Sequence, residues 1–277
     1  MQNYKNICKK KSPVICEKIS NFVIMNSKNF IFISLLFISS VLFAQEDIAI
    51  GSGYERGTLL KRYFSVGANL NTQGWGLLAD FGKNANIFNN YGMLIEFVDV
   101  HSYKEIKLRR EGIINAKSFV YGKLNYVYLL RTGFKSASLL YSKPYWGGVA
   151  VGRFYSFGIS SCFTKPVYLQ VQKYDSYYDW NIVEERYNPE KHSIDDILGR
   201  GSFLSGFDKI KYYPGIYLQG GFSFDFNESQ DQIRRLDIGA SLDLFLHKIP
   251  IMAYEKNNFY FLTFFIKYNI GQNYNAK

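Results

Sequence analysis

Ile216-Tyr-Leu-Gln-Gly-Gly-Phe-Ser-Phe-Asp-Phe226 alternates in polarity along its length. Its even positions are Ile216, Leu218, Gly220, Phe222, Phe224 and Phe226, and its odd ones Tyr217, Gln219, Gly221, Ser223 and Asp225. The same rule runs from Leu236 to His247 and from Tyr260 to Ile270. Successive strand side chains point to opposite faces, so each segment carries one apolar face and one largely polar face. Each is about 11 residues long, the length that crosses a bilayer as a tilted strand. The expectation is a membrane-type β-barrel.

The N-terminal region fits that expectation. Met25-Asn-Ser-Lys28 is a short cationic start, and Asn29 to Phe43 is apolar apart from Asn29 and three serines. The run closes on Leu42-Phe43-Ala44, the layout of a secretory signal peptide with a small residue at the cleavage position. Residues 1–24 are lysine-rich and match neither signal nor strand, so they read as a non-native leader upstream of a true start at Met25. Of the 33 Lys and Arg, six precede residue 45, as does one of the 23 acids; the remainder has a net charge of +5 instead of +10. That balance is too mild to argue for nucleic acid. Cys162 is the only thiol after Ala44, which excludes a disulfide and a CxxC metal or redox site in that part. Tyr and Phe contribute 47 residues, in keeping with aromatic girdles on a barrel wall.

Nine candidate strands can be read. Six precede the three above, around Phe64–Leu70, Trp75–Phe81, Tyr91–Phe97, Leu124–Leu130, Gly147–Ser161 and Val167–Val171. An even count needs one more strand, so about ten is expected, within a range of eight to twelve. Arg153 falls on the apolar side of its strand, which a bulge that flips the parity would explain. All six prolines avoid the strand interiors. With the C-terminus in the periplasm, counting back puts the turns 227–232, 161–165 and 71–74 on that side and 247–258, 175–214, 133–146 and 82–90 outside. The connection 102–117 is then too long for its side. The last strand is read as ending by Ile270, with its final aromatic at Tyr268.

Chemistry is sought first on the inward face. The parity turns Asp80, Glu96, Lys123, Arg131, Asp225, Asp237, Asp243 and Lys267 into the lumen. A narrow barrel is filled by side chains, so these charges are expected to neutralise one another; a selectivity lining is the alternative. The long loop 175–214 is expected to fold as a lid over the barrel mouth or to bind a sugar or cation. Its Ser193 and Asp196 form a capping-box pattern that predicts a short helix over Ile194–Leu198. The three histidines, His101, His192 and His247, sit in no GxSxG or HExxH sequence.

Tyr121-Gly-Lys-Leu-Asn125, Tyr141-Ser-Lys-Pro-Tyr-Trp-Gly-Gly148, Lys165-Pro-Val-Tyr168, Gly206-Phe-Asp-Lys-Ile-Lys211 and Lys248-Ile-Pro-Ile-Met252 give the text its character. They resemble a group of secreted Bacteroidota proteins of the outer-membrane barrel type, over residues 60–271. The resemblance implies location and architecture and carries no catalytic residue.

The reading is therefore an all-β fold, an antiparallel transmembrane β-barrel over 61–271 behind a cleaved signal peptide at 25–44. Segment 45–60 precedes the barrel and a tail at 272–277 follows it. The expected role is non-enzymatic, structural or narrow-pore, in the outer membrane of a Gram-negative bacterium. No cofactor is implied. The expected partners are outer-membrane lipid, lipopolysaccharide and the barrel-insertion machinery, with the protein a monomer. Two alternatives stand beside it: a membrane-embedded lipid- or lipopolysaccharide-modifying enzyme, and a soluble periplasmic barrel binding an apolar ligand.

Overall fold

Among the described residues thirteen strands follow one another: β1 (Arg62–Asn71), β2 (Gly74–Asn84), β3 (Asn89–Val100), β4 (Lys107–Leu108), β5 (Phe119–Val120), β6 (Asn125–Tyr141), β7 (Ala150–Pro166), β8 (Tyr168–Ser176), β9 (Asp179–Arg186), β10 (Ile197–Arg200), β11 (Lys211–Asp225), β12 (Gln232–Phe245) and β13 (Tyr260–Tyr274). This computed structural model describes residues 61–86, 88–110, 117–143, 148–176, 179–227, 229, 231–254 and 257–275. The leader, signal peptide and N-terminal segment expected from the sequence lie outside the described residues. Eight strands close a barrel in the order β1-β13-β12-β11-β7-β6-β3-β2. Closure is antiparallel throughout and ends where β1 meets β13, from Arg62↔Tyr274 to Asn71↔Phe265. A closed barrel leaves no sheet edge, so every wall strand satisfies its backbone on both sides.

The barrel has eight strands, the lower limit of the expected range and two fewer than the central expectation of ten. The strand read at Val167–Val171 is β8, which pairs with β9 and β10 in a separate three-stranded sheet. Val167, Leu169 and Val171 are buried there against Phe119, Tyr187 and Ile197. Period-two alternation reports one buried face, whether lipid or protein buries it. Nor is 161–165 a turn, since β7 continues through it to Pro166. Removing this one strand from the count moves every earlier connection to the other end. The turn at 72–73 and the connections 101–124, 167–210 and 246–259 share one end, opposite the termini. The short connections 85–88, 142–149 and 226–231 lie at the terminus end, and 102–117 is no longer an exception.

Smaller expectations are corrected as well. Segment 194–196 is a turn running into β10, so Ile194–Leu198 is not helical; the Ser193 amide still donates to Asp196 Oδ2 at 3.2 Å. Arg153 needs no bulge, because β7 pairs with β11 in unbroken register and Arg153 simply points outward near the terminus-end rim. Its long stem can lie on the wall while its head reaches past the rim to water. Pro214 does lie within β11. Its carbonyl accepts from Leu246 just beyond the end of β12, so its missing N–H faces a side where the ladder has already stopped. The last strand runs to Tyr274, so the expected tail at 272 begins inside it.

The lumen is packed in layers. Val98, Val100, Val127, Leu129, Cys162, Phe245 and Phe261 fill the long-loop end, and Ile249 of the 246–259 connection drops in among them as a stopper. Lower down, Gly133 and Gly158 face each other and leave room for the Tyr217 ring. A Cβ on Gly133 would come within 2.7 Å of the Tyr217 hydroxyl. Above the lumen the three long connections form a cap. The Leu124 amide donates to the Ile251 carbonyl at 2.8 Å and the Ala253 amide to Gly122 at 2.7 Å, while Tyr121 stacks on Tyr254 with centroids 6.0 Å apart. Leu129→Ala should cost about 2–5 kcal/mol, read from denaturant unfolding in micelles. An unchanged midpoint would mean that the upper lumen is loosely filled.

Candidate functional site

Between the apolar stopper and the terminus end, the inward face carries four acids and four bases in two linked groups. In the upper one, Arg131 of β6 reaches across the lumen to Asp243 of β12 in a two-pronged contact, Nε to Oδ1 at 2.9 Å and Nη2 to Oδ2 at 2.6 Å. Its third nitrogen donates to Glu96 Oε2 at 3.3 Å, directly opposite it on β3. Lys267 of β13 donates to Glu96 at 3.2 Å and to the Gln219 side-chain oxygen at 2.9 Å. Gln219 in turn donates to Glu96 at 2.7 Å, and the Ser160 hydroxyl to Asp243 at 2.8 Å. Asn69 supplies a further donor to Glu96.

The lower group centres on Asp80. Lys135 donates to its Oδ2 at 2.7 Å, Arg235 to the same oxygen at 3.0 Å, and the Tyr63 hydroxyl to Oδ1 at 3.0 Å. Asp237 receives Asn269 at 3.0 Å and Lys135 at 3.5 Å, and its Oδ1 lies 3.0 Å from Arg235 Nε as a charge contact. Phe154 and Phe265 pack together where the groups meet, with the Lys135 ammonium 5.0 Å from one ring and that of Lys267 4.3 Å from the other. All eight charged side chains are almost wholly buried. Charges so deep persist only when paired and hydrogen-bonded, and here the signs balance.

Of the eight residues expected in the lumen, the structure brings six together: Asp80, Glu96, Arg131, Asp237, Asp243 and Lys267. Lys123 is not among them. It lies beyond the start of β6, bridged to Met252 in the cap, where its ammonium contacts Glu105 at 2.7 Å. Burial draws the Lys123 ammonium below its usual pKa, against the opposing pull of Glu105. Asp225 stands at the terminus end, where its Oδ1 accepts the Asn227 amide at 3.0 Å. The sequence reading missed Lys135 and Arg235. Both have inward parity, but the reading stopped its strand at Arg131, whereas β6 continues to Tyr141, and started the other at Leu236, whereas β12 begins at Gln232.

The histidines assemble no catalytic arrangement with these groups. His192 is buried in the cap, its Nδ1 accepting the Asn188 amide at 3.1 Å and its Nε2 3.4 Å from Glu185. Both ring nitrogens thus have partners, which holds one tautomer and leaves neither to activate a serine. His101 sits 3.7 Å from Asp99 at the rim, and His247 is exposed just past β12. Among the described residues no group of three His, Cys, Asp or Glu is placed to hold a metal.

No protein-family model matches the chain, and no curated protein matches it. Among solved structures it is similar to Neisserial surface protein A, at 9% identity and TM-score 0.33, over 77% of this chain and 95% of that one. It is similar to the N-terminal β-barrel domain of Pseudomonas aeruginosa OprF at 8% identity and TM-score 0.29, over 76% and 97%. The third is Ail, the attachment invasion locus protein of Yersinia pestis, at 8% identity and TM-score 0.33, over 76% and 97%.

Arg131→Met strips Asp243 of its main partner and should destabilise the barrel by about 3–5 kcal/mol. Adding Asp243→Leu restores the charge balance, and the double variant should unfold at higher denaturant than Arg131→Met alone. Additive losses would mean that the pair is not one electrostatic unit.

Proposed function

We propose that the protein is an outer-membrane β-barrel of a Gram-negative bacterium, with a closed lumen, that holds a folded cap on the cell surface. The observation that carries this reading is the inverted polarity of the wall. Phe64, Leu77, Ile95, Phe157, Leu218 and Ile266 are exposed on the outside, while the charges are buried inside. A water-soluble barrel has the opposite arrangement. An exposed apolar surface of this extent calls for lipid, and strands of 10–17 residues are long enough to cross it. Outward aromatics lie towards both ends, Trp75, Tyr128, Tyr212 and Tyr260 near the long loops, and Tyr91 and Tyr274 near the termini. This is the girdle pattern of membrane barrels, in which long loops face outward and short turns face the periplasm.

The lumen favours a structural role over a narrow pore. Ile249 and the apolar layer close the long-loop end, and the ion network fills the middle. In this reading the barrel works as a monomer, its partners are lipid and the barrel-insertion machinery, and the cap is what the cell displays.

Ile266 lies near mid-wall between Leu70 and Ile238. In phospholipid vesicles Ile266→Arg should cost about 2–4 kcal/mol, because it puts a charge at the bilayer midplane. Leu242→Arg, nearer the long-loop rim, should cost less. A soluble barrel would tolerate Ile266→Arg within about 0.5 kcal/mol, as an exposed site does, and would be recovered without detergent. In planar bilayers the wild-type chain should show no steady unit conductance; a reproducible channel would return the lumen to a conducting role.

A further inference from the structure

The segment from Phe203 to Lys211 leaves the cap and runs down the outside of the barrel rim. Lys165 has outward parity on β7, yet it is buried, because Phe203 and Phe207 fold over it. Its ammonium stands 4.1 and 4.3 Å from their ring centres, and the two rings pack edge to face at 5.5 Å. The left-handed Gly206 lets the chain turn tightly against the Tyr168 ring, and the single 3-10 turn Phe207–Lys209 follows. Just below, Phe163 and Tyr212 pair at 5.5 Å on the outward wall. The segment is therefore continuous with the apolar wall at the level of the aromatic girdle.

Its outer surface is apolar and ringed by bases. Phe203 and Leu204 are 63% and 76% exposed, with Phe207 and Ile210 beside them. Lys209 is exposed and reaches the Tyr168 hydroxyl at 3.2 Å, whereas Lys211, exposed at the start of β11, pairs with the inward Thr164 and so lies on the mouth side of the rim. Arg186 lies opposite Tyr168 in the cap sheet, and Arg200 contacts Tyr126 on the outer face of β6. The nearby acids include Asp208, beside Lys209, Glu184, which the Ser202 amide engages, and Glu105, near Tyr126 and paired with Lys123. An apolar foot edged with cations fits the boundary between acyl chains and anionic headgroups.

We propose that Phe203–Lys211 is a lipid-anchoring foot. Phe203, Leu204 and Phe207 enter the acyl boundary of the outer leaflet, and Lys209 binds a phosphate group of its glycolipid. The proposal rests on the membrane reading above and names the lipid chemistry that the rim selects.

The test uses the full chain in phosphatidylcholine nanodiscs doped with bisphosphorylated lipid A or with its dephosphorylated form. Lipid retention is read by native mass spectrometry, and folding of every variant by heat-modifiable migration. Wild type should retain the phosphorylated form preferentially. Lys209→Gln should weaken that retention about fivefold, the effect of one lysine at an anionic surface. Leu204→Ser, at the most exposed apolar position of the foot, should weaken retention of both forms. Equal retention of the two lipids, or an unaltered lysine variant, overturns the phosphate site. If Leu204→Ser instead converts a dimer to a monomer in sedimentation, the foot is a contact between copies and the lipid assignment falls. A wild-type chain that stays out of the bilayer overturns the membrane reading, and this proposal with it. One that inserts but ignores phosphate overturns this proposal alone.

Discussion

The contact between Arg131 and Asp243 joins β6 to β12 across the lumen and shows the constraint under which every inward charge is placed. An eight-stranded barrel is just wide enough for its inward side chains to fill it, so an inward charge must find its partner among the other inward side chains. The network meets that demand largely in pairs between non-adjacent strands: Arg131 to Asp243, Lys135 and Arg235 to Asp80, and Lys267 to Glu96. Lys267 shows how strongly packing directs the choice. Asp237 lies opposite it on the adjacent strand, yet its ammonium turns to Glu96 and Gln219 across the barrel. Paired ions of this kind need not raise net stability over an apolar filling. What they do supply is registry, because a one-residue slip of β12 would take Asp237 and Asp243 out of the lumen altogether.

That constraint explains what the sequence made legible. Inward parity follows from period two alone, so Asp80, Glu96, Arg131, Asp237, Asp243 and Lys267 could be named without coordinates. Their partners could not all be named, because strand ends are set by pairing across the barrel and not by local polarity. Lys135 follows Arg131 on the same face, but Gly133 and Lys135 read locally as the start of a loop. In the structure Gly133 is a space reserved for Tyr217, and β6 runs on to Tyr141. The inward set read from the sequence accordingly held too many acids for its bases. A neutral lumen is the physical requirement that would have sent the search to Lys135 and Arg235.

The strand count failed for a different reason. Val167-Tyr-Leu-Gln-Val171 alternates as well as any wall strand, yet its apolar face is buried by Phe119, Tyr187 and Ile197 in the cap. Sequence periodicity is blind to what does the burying. β7 ends at Pro166; just beyond it the Val167 amide still donates to Leu124, while its carbonyl accepts from Tyr187 of the cap. Once that boundary is drawn, every long connection falls at one end and the sidedness becomes consistent.

The cap and the wall then share one physical plan. The 246–259 connection lends Ile249 to the lumen and Met252 to the bridge with Lys123, so the same loop packs the upper lumen and organises the cap. Tyr121, Tyr187 and Tyr254, one from each long connection, pack as a cluster, with Tyr121 6.1 Å from Tyr187 and 6.0 Å from Tyr254. Loops joined in this way lose their freedom together, which lowers the entropic cost of presenting a defined surface.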